Sequence, residues 1–267
     1  MDRALLRAGR IALLGAVALI LAFLALPTLV VVPLSFSSQS YLSFPPEGWS
    51  TQWYARMAEN PAWLDATKNS LVIGIASAAG SMALGTLAAL AVVRGGLRAS
   101  GAISAFVVAP IMLPHVVLAI GLYPVMVEAG LLRTYLAAIV GHTVVGLPLV
   151  FITVTAALKS HGNALELAAM TLGANPWQTF WKVTFPLIRP GVIVGGILAF
   201  ASSFDELMLS LFLTGAGTRT LPRLIWEQLS DFLTPTIAAV ASLVCAFTLL
   251  LLAAASLMGR RAGAVGA

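Results

Sequence analysis

Long runs of uncharged, mostly apolar residues alternate along the chain with short polar segments that hold most of the charges. Each run is long enough for an α-helix to cross the hydrocarbon core of a bilayer, which needs about 20 residues. The first run follows basic residues, as in a signal peptide, but it is longer than the apolar core of a signal peptide and further runs follow it. The pattern therefore predicts six transmembrane helices, at residues 11–36, 69–93, 102–127, 134–158, 191–213 and 234–258.

Composition places the chain in a membrane. Hydrophobic residues make up 60% of it and charged residues 9%, with a mean hydropathy of +0.97. Soluble domains are about half apolar and about one quarter charged, so these values exclude a disordered chain and a coiled coil. The single cysteine, Cys245, excludes an intramolecular disulfide. We therefore predict an all-α, multi-pass membrane protein with one domain over residues 1–267.

The basic residues indicate an orientation for the six spans. Placing the N-terminus inside puts most of the 15 basic residues on the inner side, as the positive-inside rule requires. We therefore expect the chain in a bacterial inner membrane with both termini in the cytoplasm. The inner set is Arg3, Arg7, Arg10, Arg94, Arg98, Lys159, Lys182, Arg189, Arg260 and Arg261.

Two prolines and two histidines interrupt the apolar spans. Pro110 and Pro114 each remove a backbone donor from the third span, so we expect it to be kinked. His115 and His142 are isolated among apolar residues, and no other ligand type lies at a metal-binding spacing from them. We interpret both as hydrogen-bonded packing residues and predict no metal site.

The connection between the fourth and fifth spans, at residues 161–190, is the longest segment on the predicted inner side. Asn163 can cap a short helix that Gly173 ends, and Pro176 can open a second helix that Pro186 ends. Two helices with a glycine break between them favour a docking element at the inner membrane face. The alternative is an amphipathic helix that rests on the lipid.

This loop resembles the EAA loop of the permease subunits of binding-protein-dependent ABC importers, whose pattern is E-A-A-x3-G-x9-I-x-L-P. The spacing matches throughout, but a leucine stands at the glutamate position and a glutamate stands one residue earlier. The resemblance implies that the loop couples the permease to an ATPase. The coupling residues would be Glu166, Leu167, Ala168, Ala169, Gly173, Pro176, Val183 and Pro186.

Three further segments, at residues 203–207, 211–214 and 220–222, resemble the second of the two permeases in spermidine/putrescine importers. That resemblance implies a type I ABC importer permease fold and a paralogous second permease. It also implies a dimer of ATPase subunits on the cytoplasmic side and a solute-binding protein outside. The chain has no phosphate-binding P-loop, so ATP and Mg²⁺ would bind to the partner ATPases, and this chain would be neither an enzyme nor a holder of a cofactor.

Two adjacent acids lie in the outer half of the fifth predicted span. A charged side chain at the bilayer centre costs about 3 kcal/mol on insertion scales, so such residues face protein or a water-filled path. Ser202, Glu206 and Ser210 recur at a spacing of four and would share one helix face with Asp205 beside it. We assign that face to the translocation path, and our hypothesis is that Glu206, with Asp205 as the second candidate, attracts a cationic substrate such as a polyamine there. Tyr123 and Trp226, near the outer interface, are further candidates for contact with the substrate.

Three alternatives to a polyamine path remain open from the residues alone. The acids could hold a gate whatever the cargo, or the importer could carry another small amino or organic compound. The acids could also relay protons in an ion-coupled secondary transporter, although this would leave the long inner loop without a role. A membrane enzyme is disfavoured because no base or nucleophile accompanies the acids.

Overall fold

The computed structural model describes residues 3–231 and 234–264, with side chains for residues 9–230 and 234–257. The side chains of Arg3, Arg7, Arg260 and Arg261, on which the predicted orientation partly depends, lie outside the described residues. The described part is helical throughout apart from loops and one isolated bridge, Ser37 to Trp49. Its α-helices are α1 (Arg3–Ser35), α2 (Gln52–Glu59), α3 (Pro61–Arg94), α4 (Ser100–Met112), α5 (His115–Glu128), α6 (Tyr135–His161), α7 (Ala164–Thr171), α8 (Pro176–Thr179), α9 (Phe185–Phe204), α10 (Met208–Leu213), α11 (Leu221–Asp231) and α12 (Pro235–Ala264).

Five of these helical segments are long and apolar enough to cross a membrane, and a bent pair of helices can supply a sixth crossing. The pair is α4 and α5, whose axes meet at 105° in the region of the third predicted span. Pro114 causes the break, because a residue before proline is driven out of the helical region and Leu113 is extended, with φ −87° and ψ 139°. Pro110, by contrast, lies inside α4 without ending it.

The fifth predicted span, 191–213, is not one continuous helix as the sequence suggested. Helix α9 ends at Phe204 and α10 begins at Met208, so the two acids lie in the break between them. The carboxylate of Glu206 accepts a hydrogen bond from the backbone N–H of Leu209, which replaces a bond of a regular helix. The prediction that Ser202, Glu206 and Ser210 share one helix face is therefore wrong.

The fifth helix also begins earlier than expected. Helix α8 continues through a π-helical turn, Phe180–Thr184, directly into α9, so the helical segment runs from Pro176 to Phe204. Pro186 does not end a helix, as the sequence predicted; it directly follows the π-helical turn, whose altered hydrogen-bond pattern accommodates a residue without a backbone N–H. The predicted inner segment of residues 161–190 therefore holds α7, the turn after it, and α8, which is the first part of this continuous helical segment.

Contacts within the chain separate it into two compact units. The first comprises Met1–Pro61 and Glu227–Phe247, and the second comprises Ala62–Trp226 and Thr248–Ala267. In the first unit the indole N–H of Trp53 donates to the carbonyl of Ser37 at 2.6 Å. The predicted coupling loop and the two acids both belong to the second unit.

Small residues let the helices of the second unit approach closely. A Cβ added to Gly195 of α9 would lie 2.8 Å from the Cα of Val150 in α6, and one added to Gly191 would lie 3.0 Å from the carbonyl oxygen of Thr153. A Cβ added to Gly85 of α3 would lie 2.9 Å from Cβ of Val150 and 3.0 Å from the carbonyl oxygen of Leu147. Helices in lipid gain little from apolar burial, so contact between backbones at small residues stabilises the bundle.

Candidate functional site

The two short helices of the inner loop have different N-terminal caps. Asn163 lies at the N-cap of α7 but makes no side-chain capping bond. Asn175 caps α8 instead: its side chain accepts from the N–H of Gln178 at 2.8 Å, and the Gln178 side chain accepts from the N–H of Asn175. Gly173, with φ +88°, has the left-handed backbone that separates the two helices. The turn is therefore fixed by glycine at one side and a capping box at the other.

Glu166 ties α7 to the membrane-spanning helices. Its Oε2 lies 2.9 Å from Nε of Arg94 at the end of α3, and its Oε1 accepts from the hydroxyl of Thr184 at 3.2 Å. Arg94 also donates to the carbonyls of Leu158 and Gly162. Arg94 therefore connects α3, the end of α6 and α7. Sequence spacing could not reveal the contact between Arg94 and Glu166, because the two residues are 72 positions apart in the chain.

Leu167, which stands where the EAA pattern has its glutamate, is exposed, whereas Glu166 is largely buried. The side chain of Glu166 is 13% exposed, whereas Leu167 is 51% exposed. Leu172, at 89%, and Trp177, at 70%, extend an apolar surface on the same loop. Exposed apolar residues in such a group indicate a surface that binds another protein or lipid. Of the other predicted coupling residues, the exposed ones are Ala168, Gly173, Pro176 and Pro186, and the half-buried ones are Ala169 and Val183.

A buried polar network joins four helices near the break between α9 and α10. Nδ1 of His142 in α6 lies 2.7 Å from Oγ of Ser203, which accepts from the hydroxyl of Ser77 in α3 at 3.0 Å. Nε2 of His142 lies 3.4 Å from Oγ of Ser210 in α10, and this hydroxyl donates to the carbonyl of Glu206. His142 is thus hydrogen-bonded at both ring nitrogens, as a packing residue would be.

The second histidine pairs with one of the two acids. Nδ1 of His115, the first residue of α5, lies 2.6 Å from Oε2 of Glu206. Since Oε1 of Glu206 accepts from Leu209, both carboxylate oxygens are engaged, and the Glu206 side chain is only 4% exposed. This contact joins the break at Pro114 to the break between α9 and α10. Sequence reasoning missed it because the two residues are far apart in the chain.

Asp205 differs from its neighbour in both exposure and bonding. It is exposed, and within the described residues its carboxylate makes no hydrogen bond or ion pair. Ser202, one turn earlier in α9, is half-buried, and Ser210 is fully buried in the polar network. The structure therefore leaves Asp205 as the acid that a solute could reach.

The remaining predicted path residues lie elsewhere. Tyr123 lines a cavity together with residues of the loop after α10, and Trp226 lies half-exposed on α11. Among the described residues, no three His, Cys, Asp or Glu side chains come together as they would around a metal ion.

Comparisons with known proteins identify the family. Residues 81–263 match the family described as the binding-protein-dependent transport system inner membrane component. The chain is 33% identical to the putrescine transport system permease PotI of Escherichia coli K12, over 83% of this chain and 81% of PotI. It is 29% identical to the spermidine/putrescine permease PotC of the same organism, over 94% of this chain and 95% of PotC.

A solved structure shows the same fold. A bacterial alginate ABC transporter, crystallised with a periplasmic protein bound to an alginate pentasaccharide, contains a chain that superposes with a TM-score of 0.66. The match covers 97% of this chain and 98% of that one at 18% identity. With residues 81–263 matching the family and two permeases related over most of their length, the chain belongs to the inner-membrane components of binding-protein-dependent transport systems, as a multi-pass permease subunit of an ABC importer.

Proposed function

We propose that this permease subunit forms half of the path for a small organic cation of the polyamine type. The observation that supports this cargo most directly is the exposed carboxylate of Asp205, placed in a helix break within the apolar bundle. Two relatives named for putrescine and spermidine transport support the same class of solute.

The chemistry of Asp205 fits an ammonium group better than that of Glu206. A carboxylate in low-dielectric surroundings attracts a cation strongly, provided that no nearby cation of the protein already neutralises it. Both carboxylate oxygens of Glu206 are already occupied, one by His115 and one by the N–H of Leu209 in the first turn of α10, so Glu206 serves to hold the break in shape. Asp205 makes no such bonds among the described residues and remains available to a passing amine.

The inner loop supplies the coupling to ATP hydrolysis in this proposal. Glu166 faces inward and fixes α7 to Arg94, while Leu167, Leu172 and Trp177 face outward and would enter a groove of an ATPase subunit. The departure from the usual EAA pattern then has a physical meaning. The glutamate anchors the loop to its own bundle, and leucine makes the contact with the partner.

The rest of the assembly follows from the division of labour between subunits. A second, paralogous permease would complete the path, and a solute-binding protein would deliver the cation on the outer side. ATP and Mg²⁺ would bind only to the ATPase dimer, so this chain would catalyse no reaction. Both termini and the α7 loop would lie in the cytoplasm.

The test is uptake of radiolabelled putrescine by proteoliposomes that contain the assembled transporter, its ATPases and its binding protein. Asp205→Asn keeps the side-chain size and removes the charge, and we expect it to lower uptake about tenfold, equivalent to about 1.4 kcal/mol. Glu128→Gln removes an exposed acid at the end of α5 and is the matched control, with wild-type uptake expected. Wild-type uptake by the Asp205→Asn transporter would refute the assignment of Asp205.

A further inference from the structure

The helix break that contains Asp205 is bridged by one side chain from a neighbouring helix. His142 of α6 contacts Ser203 at 2.7 Å through Nδ1 and Ser210 at 3.4 Å through Nε2. Ser203 lies in the last turn of α9 and Ser210 lies in α10, so a single imidazole contacts both sides of the break. The ring is 2% exposed, so water does not compete for these two bonds.

The directions of the hydrogen bonds fix which ring nitrogen of His142 carries the hydrogen. The hydroxyl of Ser210 donates to the backbone carbonyl of Glu206 at 2.8 Å, and a carbonyl can only accept. The Ser210 oxygen therefore accepts from His142, which assigns the hydrogen of a neutral ring to Nε2. Nδ1 then accepts from the hydroxyl of Ser203. Hydrogen bonds thus run in one direction, from Ser203 through the ring and Ser210 to the carbonyl of Glu206.

Two glycines bring α6 close to both helices of the break. A Cβ added to Gly141 would lie 2.6 Å from Cδ1 of Leu213 in α10. A Cβ added to Gly146 would lie 3.0 Å from Cβ of Ala199 in α9. Because neither glycine has a side chain, the backbone of α6 approaches α10 and α9 closely on either side of His142. The imidazole therefore extends from a backbone that itself packs against both helices.

A break inside a membrane-spanning segment leaves backbone groups without their helical partners. Such a break is tolerated where other protein groups supply bonds instead. Here Glu206 supplies a bond to the N–H of Leu209, and His142 connects the two helix ends. The carboxylate of Asp205 makes no bond of its own with the described residues, so its placement depends on how those two ends are held.

We propose that His142 is a positioning residue for transport, whose bridge between α9 and α10 holds Asp205 where a cationic solute can reach it. The inference rests on the proposed function, because that function assigns Asp205 to the solute. Since its ring is buried, His142 acts on the solute only through the placement of Asp205. Without the bridge, α10 moves more freely relative to α9, and the exposed position of Asp205 is no longer fixed.

The first test is hydrogen exchange of the α10 amides in the complete transporter, reconstituted in nanodiscs. Ser203→Ala and Ser210→Ala each remove one end of the bridge with little change in volume. We expect each to speed exchange in α10 about fivefold, as the loss of one ordinary hydrogen bond implies. The double variant should give no more than the larger single effect, because a bridge cut at one end no longer connects the two helices. Thr153→Val is the matched control with wild-type exchange expected, since its hydroxyl bonds only carbonyls of its own helix.

The second test measures putrescine imported per ATP hydrolysed, which separates positioning from general stability. Both serine variants should lower this ratio toward that of Asp205→Asn. In an Asp205→Asn background they should lower it no further, because the bridge acts through Asp205. His142→Leu removes both ends at once and should match the double serine variant; if it fails to fold, the two milder serine variants still decide the question.

Two results would overturn the inference. One is additive effects of Ser203→Ala and Ser210→Ala on exchange in α10, which would mean that the two serines act separately. The other is a further loss of import when either change is added to Asp205→Asn. Wild-type import by Asp205→Asn alone would show instead that the proposed function is wrong, whatever the exchange data give, so the two failures are distinguishable.

Discussion

The bond between Glu166 and Arg94 should determine how firmly the coupling helix α7 is attached to the bundle. The perturbation is Glu166→Gln, which keeps the size of the side chain and its ability to accept from Thr184 but removes its charge. Arg94 retains its bonds to the carbonyls of Leu158 and Gly162, so the change is confined to one contact.

The magnitude follows from the geometry of that contact. Nε of Arg94 lies 2.9 Å from Oε2 of Glu166, and the two side chains are 23% and 13% exposed. A hydrogen bond to a charged group in such partly buried surroundings contributes about 1.5–3 kcal/mol, of which a neutral amide retains about half. We therefore expect α7 to be less firmly attached by about 1 kcal/mol, which is roughly a fivefold change in the population of its detached state.

The assay is hydrogen exchange of the α7 amides in the complete transporter, combined with the ratio of putrescine imported to ATP hydrolysed. Glu166→Gln should speed α7 exchange about fivefold and lower the transport ratio, while Glu128→Gln should change neither. A double-mutant cycle with Arg94→Gln should give a coupling energy of about 1 kcal/mol. Wild-type exchange in Glu166→Gln, or additive effects in the cycle, would refute the role of this contact.

Two further predictions concern glycines. Gly195→Val should lower the yield of folded protein and its thermal stability, because the new side chain would meet the backbone of Val150 at 2.8 Å; wild-type stability would show that α6 and α9 pack otherwise. Gly173→Glu should abolish ATP-driven uptake while the spans still insert, because its φ of +88° disfavours a residue with a Cβ and a large charge blocks docking. Normal uptake by this variant, beside intact insertion measured by protease protection, would remove the loop from the mechanism.

Local rules explain how much of this protein could be read from its sequence. The length of an apolar run fixes whether a helix can cross a bilayer, and residue order fixes the EAA spacing, so the membrane class and the family could both be recognised. Gly173 was predictable as a helix end for the same reason, since a left-handed turn depends on one residue. Pro114 likewise predicted a kink in the third span, although the sequence could not give an angle as large as the 105° between α4 and α5.

Only the tertiary structure decided the roles of the charged and polar residues. The same apolar pattern fits a continuous fifth span or one broken at Asp205. The break depends on two contacts of the Glu206 carboxylate, with His115 and with the N–H of Leu209, which the sequence does not show. Likewise, Glu166 is an anchor only because Arg94, 72 residues earlier, reaches it. A polar side chain in a membrane must find a partner, and the fold, not the order of residues, brings that partner within hydrogen-bonding distance.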